Sequence, residues 1–350
     1  MHINFLALTW AVLVSIAFCD TTAESLFAVI TDTDSKGGCK SKLPSPLDKF
    51  VSESKTLVES GLQALSDAQN PSAKEHDVAV RYLWTYFHAT TKDTDKVNLV
   101  KSNLQRVENF LGGHPERNTP RLYCNDKWLE KLERSDALWD ADRDLIMVMA
   151  SDGSESPIAI EDFKDYAGYL WEDPDTKLES TGKVPYWSDD LKEYVFDDDY
   201  GKKSYCTIST GNLGVTQDQT ESGSTLTLCP SSFTNKAASA NLGKKPTKGV
   251  SIEKVLPRSG TFYHELFHLV LSSKDTPDLT YEWEEQQEFL KTPEEKSELY
   301  DKTYDELVRR NPETFLWFSV GYWYFQQTQW SKESNQRWSF HSGAGELVQI

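Results

Sequence analysis

Five residues, His264-Glu265-Leu266-Phe267-His268, constrain the fold of this chain more than any other segment. Residues four apart lie on one face of an α-helix, so a helical segment here aims two imidazole nitrogens in one direction, where they can share a zinc ion. An ion held there lowers the pKa of a water and polarises a peptide carbonyl, and Glu265, one step round, can take that water's proton and return it to the leaving amine. Leu266, Phe267, Leu269 and Val270 make the rest of the segment apolar. The spacing therefore predicts a buried helix from Ser259 to Leu271. With seven His in 350 residues, the pattern arises by chance in roughly one such chain per hundred. The alternative is a helix whose two histidines merely pack or hydrogen-bond, and a third ligand distinguishes the two.

The extended pattern H-E-x-x-H-x-x-G-x-x-H is excluded, because Leu271 stands where it needs Gly and Lys274 where it needs His. Carboxylates remain. Asp278 follows His268 by ten residues and Glu288 by twenty; a Glu ligand would come from a following helix, for which Tyr281 to Leu290 offers a stretch. Spacing alone leaves both open.

The remaining composition is that of a soluble globular chain, with 38% hydrophobic and 26% charged residues. A net charge of −18 repels phosphate backbones and anionic lipid surfaces, which argues against nucleic acid as a partner. The first nineteen residues are apolar and carry no Lys, Arg, Asp or Glu, and Ala17 and Cys19 are small residues placed for cleavage before Asp20. Residues 1–19 read as a signal peptide, so the expected location is extracellular, without a membrane anchor after cleavage. Cleavage leaves four of the five cysteines, Cys39, Cys124, Cys206 and Cys229, an even count that reads as two disulfides in an exported chain. Three pairings are open. No two of the four are close enough for a Cys-x-x-Cys metal site, and no Asn-x-Ser/Thr sequon occurs.

Helical spacing predicts helices over residues 45–68, 72–88 and 93–111, the last ending at Gly112-Gly113. Residues 125–205 start with a helical pattern (Trp128, Leu129, Leu132, Leu138) and a buried-looking run from Leu145 to Ala150, then become acidic and irregular. This segment reads as an insertion over the surface. Asp197-Asp198-Asp199 lacks the D-x-[DN]-x-[DN]-G calcium pattern and reads as a solvated run. Thr, Ile, Val and Leu alternate between Cys206 and Cys229 and predict strands. Thr292-Pro293-Glu294-Glu295 predicts a helix reaching Arg310, and Asn311-Pro312 opens an aromatic helix through Phe315, Trp317, Phe318, Tyr322 and Trp323. At that spacing the aromatics, with Trp330 and Trp338, read as core rather than as a sugar-stacking surface. His76, His88, His114 and His341 are isolated and read as structural or surface residues.

Together with His264, Glu265 and His268, the segment Asp275-Thr276-Pro277-Asp278-Leu279-Thr280-Tyr281 resembles the aspzincins. These secreted fungal zinc endopeptidases include deuterolysin and the lysine-specific metallo-endopeptidases, and they pair H-E-x-x-H with an Asp in a G-T-x-D-x-x-Y-G motif. Thr276, Asp278 and Tyr281 match it, while Asp275 and Glu282 replace its glycines. The resemblance implies Asp278 as third zinc ligand and Tyr281 as the hydroxyl that stabilises the oxyanion. It extends to Thr261, to Leu228-Cys229-Pro230 and to Asn311-Pro312-Glu313-Thr314-Phe315-Leu316-Trp317-Phe318, and more loosely to residues 81–87 and 122–124. It implies the pairs Cys39–Cys124 and Cys206–Cys229. The fold implied is α+β, predominantly helical and zincin-like, with a small strand region before the active-site helix. One domain spans residues 20–350, with a helical half (20–124), the acidic insertion (125–205) and a catalytic half (206–350).

Lysine-specific members place two acids in the segment matching residues 311–318. Glu313 keeps the first and is assigned to the substrate pocket; Leu316 occupies the second, against a strict lysine preference. The activity implied is that of a monomeric endopeptidase with one Zn²⁺ per chain, acting on polypeptides. The competing readings are an inactive secreted binding or effector protein on the same fold, and a zinc peptidase liganded by Glu288.

Overall fold

The computed structural model describes residues 21–115, 118–149, 151–201, 204–207, 211–218, 223–331 and 333–350. The signal-peptide expectation for residues 1–19 lies outside the described residues.

The chain enters through a one-turn helix α1 (Ala23–Leu26), capped by Thr22, and the short strand β1 (Ala28–Val29). Three long helices follow, α2 (Leu47–Gln69), α3 (His76–Phe87) and α4 (Thr94–Leu111), and then β2 (Arg121–Tyr123). The apolar spacing that predicts these helices also defines the face they bury: Phe50, Val51, Leu57, Val58 and Leu65 on α2, and Val97, Val100, Leu104 and Val107 on α4. Each such side chain contributes roughly 1.5–3 kcal/mol on leaving water. Pro46 occupies the N-cap of α2, and α3 begins four residues later than expected.

Residues 125–205 depart furthest from expectation. They form β3 (Glu130–Lys131), β4 (Met147–Met149), β5 (Glu155–Pro157), α5 (Lys164–Leu170), β6 (Lys183–Ser188) and β7 (Glu193–Asp198). The helix expected through Trp128 and Leu138 is absent. Its apolar residues are indeed buried, but in extended and turning chain: β3 pairs antiparallel with β6, and β6 with β7. Leu132, Leu138, Ile160, Leu170, Trp187, Tyr194 and Phe196 close one small core, and Tyr123, Trp128, Val184, Tyr186, Leu191 and Val195 another. The segment read as an insertion is thus a module with one core of its own and a second that it shares with Tyr123 of β2. The run expected to be buried at 145–150 is instead an exposed antiparallel ribbon over its described residues.

The chain returns through β8 (Gly214–Gln217) and β9 (Thr225–Leu228), the antiparallel strands expected before the helical segment, then α6 (Pro230–Thr234) and α7 (Ser259–Leu271). Next come α8 (Trp283–Phe289), α9 (Tyr304–Val308), α10 (Pro312–Gln326) and the hairpin of β10 (Gln336–Ser339) with β11 (Glu346–Gln349). The helix expected over 292–310 shrinks to α9. The capping box that forms is Thr303 with Glu306, and residues 296–302 carry no apolar stripe to bury. The aromatic helix α10 is core, as read from its spacing: Phe315, Trp317, Phe318 and Tyr322 are fully buried.

The fold is α+β with helix predominating. A four-stranded sheet has the order β1-β2-β9-β8; β1, β2 and β9 run parallel, and β8 lies antiparallel at the edge. One core joins the segments before and after the insertion, with Leu57 and Leu104 in the same cluster as Phe262, Leu266, Phe315 and Phe318. At Gly61 of α2 an added Cβ would sit 2.8 Å from Ser319 Oγ, so the glycine is what allows α2 and α10 to approach. Cys39 bonds Cys124 and Cys206 bonds Cys229, the pairing the resemblance implies. Among the described residues no helix is long and apolar enough to cross a membrane.

Candidate metal centre

The turn spacing of α7 places His264 and His268 one above the other, and both are buried. Their Nε2 atoms lie 3.2 Å apart, and Asp278 Oδ1 lies 3.1 Å from each. Ligand atoms around a tetrahedral zinc with bonds of about 2.0 Å are about 3.3 Å apart, so this triangle has the size of one face of such a site. Among the described residues these are the three that converge as a metal-ligand group.

The far side of each imidazole is engaged. His264 Nδ1 lies 3.0 Å from Glu313 Oε2, and a carboxylate there accepts from Nδ1, so in the neutral ring that a metal ion requires it is Nε2 that carries the lone pair. His268 Nδ1 faces Thr276 Oγ1 at 3.3 Å, and that hydroxyl donates to the Ser272 carbonyl at 2.7 Å, so it too accepts from the ring. Both rings are thereby turned with Nε2 toward Asp278. Such outer partners raise ligand basicity and hold ring orientation.

The electrostatics follow from this convergence. Burial alone would depress His264, but Asp278, Glu313 and Glu265 outweigh it and raise it well above the ordinary histidine value. Burial pushes Asp278 up, but the two histidines overcome it and hold the carboxyl far below the usual range. Tyr281 is 61% exposed, its ring stacks on His264, and its hydroxyl turns inward to donate to Asp278 Oδ2 at 2.6 Å. Burial of that hydroxyl, then the Asp278 charge, push it above the usual phenol range.

Glu265 is buried one step round α7, and Thr216 of β8 donates to its Oε2 at 2.8 Å. An added Cβ at Gly214 would lie 2.9 Å from both Glu265 Cγ and Oε1, so only glycine lets β8 pass this close. Beside the triangle opens a cleft of about 530 Å³ whose lining includes Gly214, His264, Glu265, Tyr281, Glu313 and Leu316.

Asp278 is carried by a loop fastened from three sides. Ser272, at φ 81°, turns the chain out of α7. The Tyr300 hydroxyl donates to the Asp278 carbonyl at 3.4 Å, and Asn311 Nδ2 donates to the Thr280 carbonyl at 3.0 Å from the N-cap of α10. Thr216, Gly214, Tyr300 and Asn311 thus belong to the site, although no motif spacing singled out the roles of the first three. Glu288 does not join it: its carboxylate pairs with Lys291 at 2.5 Å on the exposed side of α8. Glu313 does line the cleft, but its carboxylate is engaged by His264.

Asp197-Asp198-Asp199 is split rather than uniformly solvated. Asp197 accepts from Gln217 of β8 at 2.7 Å and is raised by burial, while Asp199 pairs with Lys131 at 2.5 Å. No family model matches this chain, and no match is found among curated proteins or solved structures.

Proposed function

We propose that the chain is a secreted zinc-dependent endopeptidase of aspzincin type on a zincin-like fold. The observation that carries this reading is the 3.1–3.2 Å triangle of His264 Nε2, His268 Nε2 and Asp278 Oδ1, with Glu265 beside it on the cleft wall. A histidine pair this close, backed by acceptors on both Nδ1 atoms, suits a cation between them better than it suits packing. Zinc bound there would polarise a peptide carbonyl and make water acidic enough to be a nucleophile near neutral pH.

The chain's own groups supply the rest. Glu265, steadied by Thr216, takes the proton of the attacking water and hands it to the departing amine. The Tyr281 hydroxyl, at the cleft and already polarised against Asp278, swings to donate to the oxyanion as the carbonyl becomes tetrahedral. The outer edge of β8 offers main-chain groups along which an extended substrate can lie as an added strand. Two disulfides accord with an oxidising compartment.

The test is digestion of casein and of a mixed peptide library by the purified chain, with zinc and with chelator. Internal cleavage that chelator stops and zinc restores is expected. Zinc binding without cleavage across pH 5–9 would instead make the chain a metal-containing binding protein.

A further inference from the structure

The insertion concentrates the charge of the whole chain. Residues 125–205 hold 22 Asp and Glu against 10 Lys and Arg, a net −12 of the total −18. Five of its ten cations, Lys131, Arg134, Arg143, Lys177 and Lys192, are engaged within the module. Arg143 pairs with Glu130 and Asp189 and lies over the Trp139 ring, Lys177 pairs with Glu161 and Asp162, and Arg134 donates to the Lys183 carbonyl over Trp171.

From this acidic module projects the β4–β5 ribbon, paired Met147↔Pro157, Val148↔Ser156 and Met149↔Glu155. Its base is anchored, since Ile146 and Ile158 pack on the module's core. Leu145, just before the base, is 48% exposed, and beyond the base Met147 is 45% exposed, Val148 40% and Met149 71%. Side chains alternate faces along a strand, so exposure of consecutive residues means that both faces of the ribbon are bare. Its edges carry main-chain donors and acceptors that no third strand takes up among the described residues. An exposed apolar strand with open edges is a liability unless it has a partner.

The charge selects the partner. Between residues 140 and 157 stand Asp140, Asp142, Asp144, Asp152 and Glu155, and the single basic residue is the committed Arg143. A second copy of this chain or an anionic lipid surface would be repelled. We propose that the β4–β5 ribbon is a docking site, outside the cleft, for extended polypeptide segments that alternate Lys or Arg with apolar side chains. Such a segment adds to a ribbon edge by main-chain pairing, lays its apolar residues on Leu145, Met147, Val148 and Met149, and turns its cations to the flanking acids. Met147 and Met149 suit varied sequences because their unbranched side chains adapt. The module that carries the ribbon is fastened to β8 through Asp197 and Gln217, and β8 holds Glu265 through Thr216. Resting on the peptidase reading, the docked segment is part of a substrate of the neighbouring cleft.

Binding is measured by fluorescence anisotropy on the full chain carrying Glu265→Gln, which prevents hydrolysis, with three labelled 16-residue peptides alternating Lys-Val, Lys-Ser or Glu-Val. Tightest binding to Lys-Val is expected, weakened at least tenfold by the triple variant Met147→Ser/Val148→Ser/Met149→Ser and by raising salt from 50 to 300 mM. A second variant, Asp144→Asn/Asp152→Asn/Glu155→Gln, leaves the apolar residues in place and should lose the salt dependence. Equal affinity in the triple variant, equal binding of Glu-Val, or self-association of the wild type that the triple variant abolishes would overturn the proposal. In the otherwise unaltered chain, the triple variant should raise KM for a long Lys-Val-containing substrate with kcat unchanged. Lys-Val binding that depends on the ribbon, in a chain that cleaves nothing, would uphold the docking site and remove the peptidase reading alone.

Discussion

The acids of the cleft and the acids of the insertion are the same residue types in opposite circumstances. Glu265 and Glu313 are buried, and each is aimed by a named partner, Thr216 for one and His264 for the other; Asp278 is held between two imidazoles. In the insertion, Asp142, Asp152 and Glu155 stand in water. A carboxylate in the cleft therefore acts through its position, whereas one in the insertion contributes to a field that salt can screen. Net charge alone says nothing of this division, because the cleft needs only three of the 55 acids.

Replacing Glu265, the base we propose, should give the largest effect. Glu265→Gln keeps the shape and the metal but removes the proton acceptor, so kcat should fall on the order of 10²–10⁴-fold with zinc content unchanged. Peptide hydrolysis and metal analysis on the same sample check this; activity near wild type would remove Glu265 as the base.

Next in size is the partner behind His264. Glu313→Gln keeps the shape and loses the charge, and zinc affinity should weaken about 10–100-fold. Competition with a chromophoric chelator reads it. An unchanged affinity would return Glu313 to the role the sequence proposed for it, a pocket acid. Since Glu313 is engaged and Leu316 lies over Gly260 beside it, the pocket should also accept an apolar side chain more readily than lysine in a library digest.

The same charges make stability depend on pH in opposite senses with and without metal. Without zinc, His264 is raised above its unfolded value, so its contribution is complete below about pH 6.5 and fades as pH rises through the folded value. Asp278 is depressed, so its contribution is present above about pH 3.9 and is lost as pH falls below that. Zinc needs both histidines neutral. Thermal unfolding in chelator should therefore lose stability as pH rises above about 6.5, while added zinc should stabilise more over the same interval. Parallel curves with and without zinc would contradict the site.

Two smaller effects complete the contrast. Neutralising insertion acids away from the ribbon, such as Asp165→Asn, should change stability by about 0.5 kcal/mol or less. Ser272 holds a backbone conformation that side chains disfavour, so Ser272→Gly should stabilise by about 1 kcal/mol, read from the urea midpoint.

Helix α7 was legible because two independent patterns coincide in it: histidines four apart and an apolar stripe that buries the same helix. Which carboxylate joins the two histidines was not decidable from spacing, because Asp278 and Glu288 both follow at workable distances; the loop that brings Asp278 to them depends on Ser272 and on the more distant Tyr300 and Asn311. The insertion was misread where apolar residues were sparse. Trp128, Leu132 and Leu138 fit a helical period, yet pairing with β6 supplies hydrogen bonds and burial together, and three or four side chains cannot outvote that. The apolar run from Leu145 to Ala150 reads as buried from its residue types, and the exposure of Leu145, Met147, Val148 and Met149 is what points to a partner.

Zinc stoichiometry after exhaustive dialysis tests the central claim most directly, measured by mass spectrometry on the wild-type chain and on Asp278→Ala with its fold checked by circular dichroism. One zinc per wild-type chain and a folded variant that retains almost none is the predicted result. A wild-type chain without zinc, or a variant that keeps one full equivalent, would contradict the assignment of His264, His268 and Asp278 as its ligands.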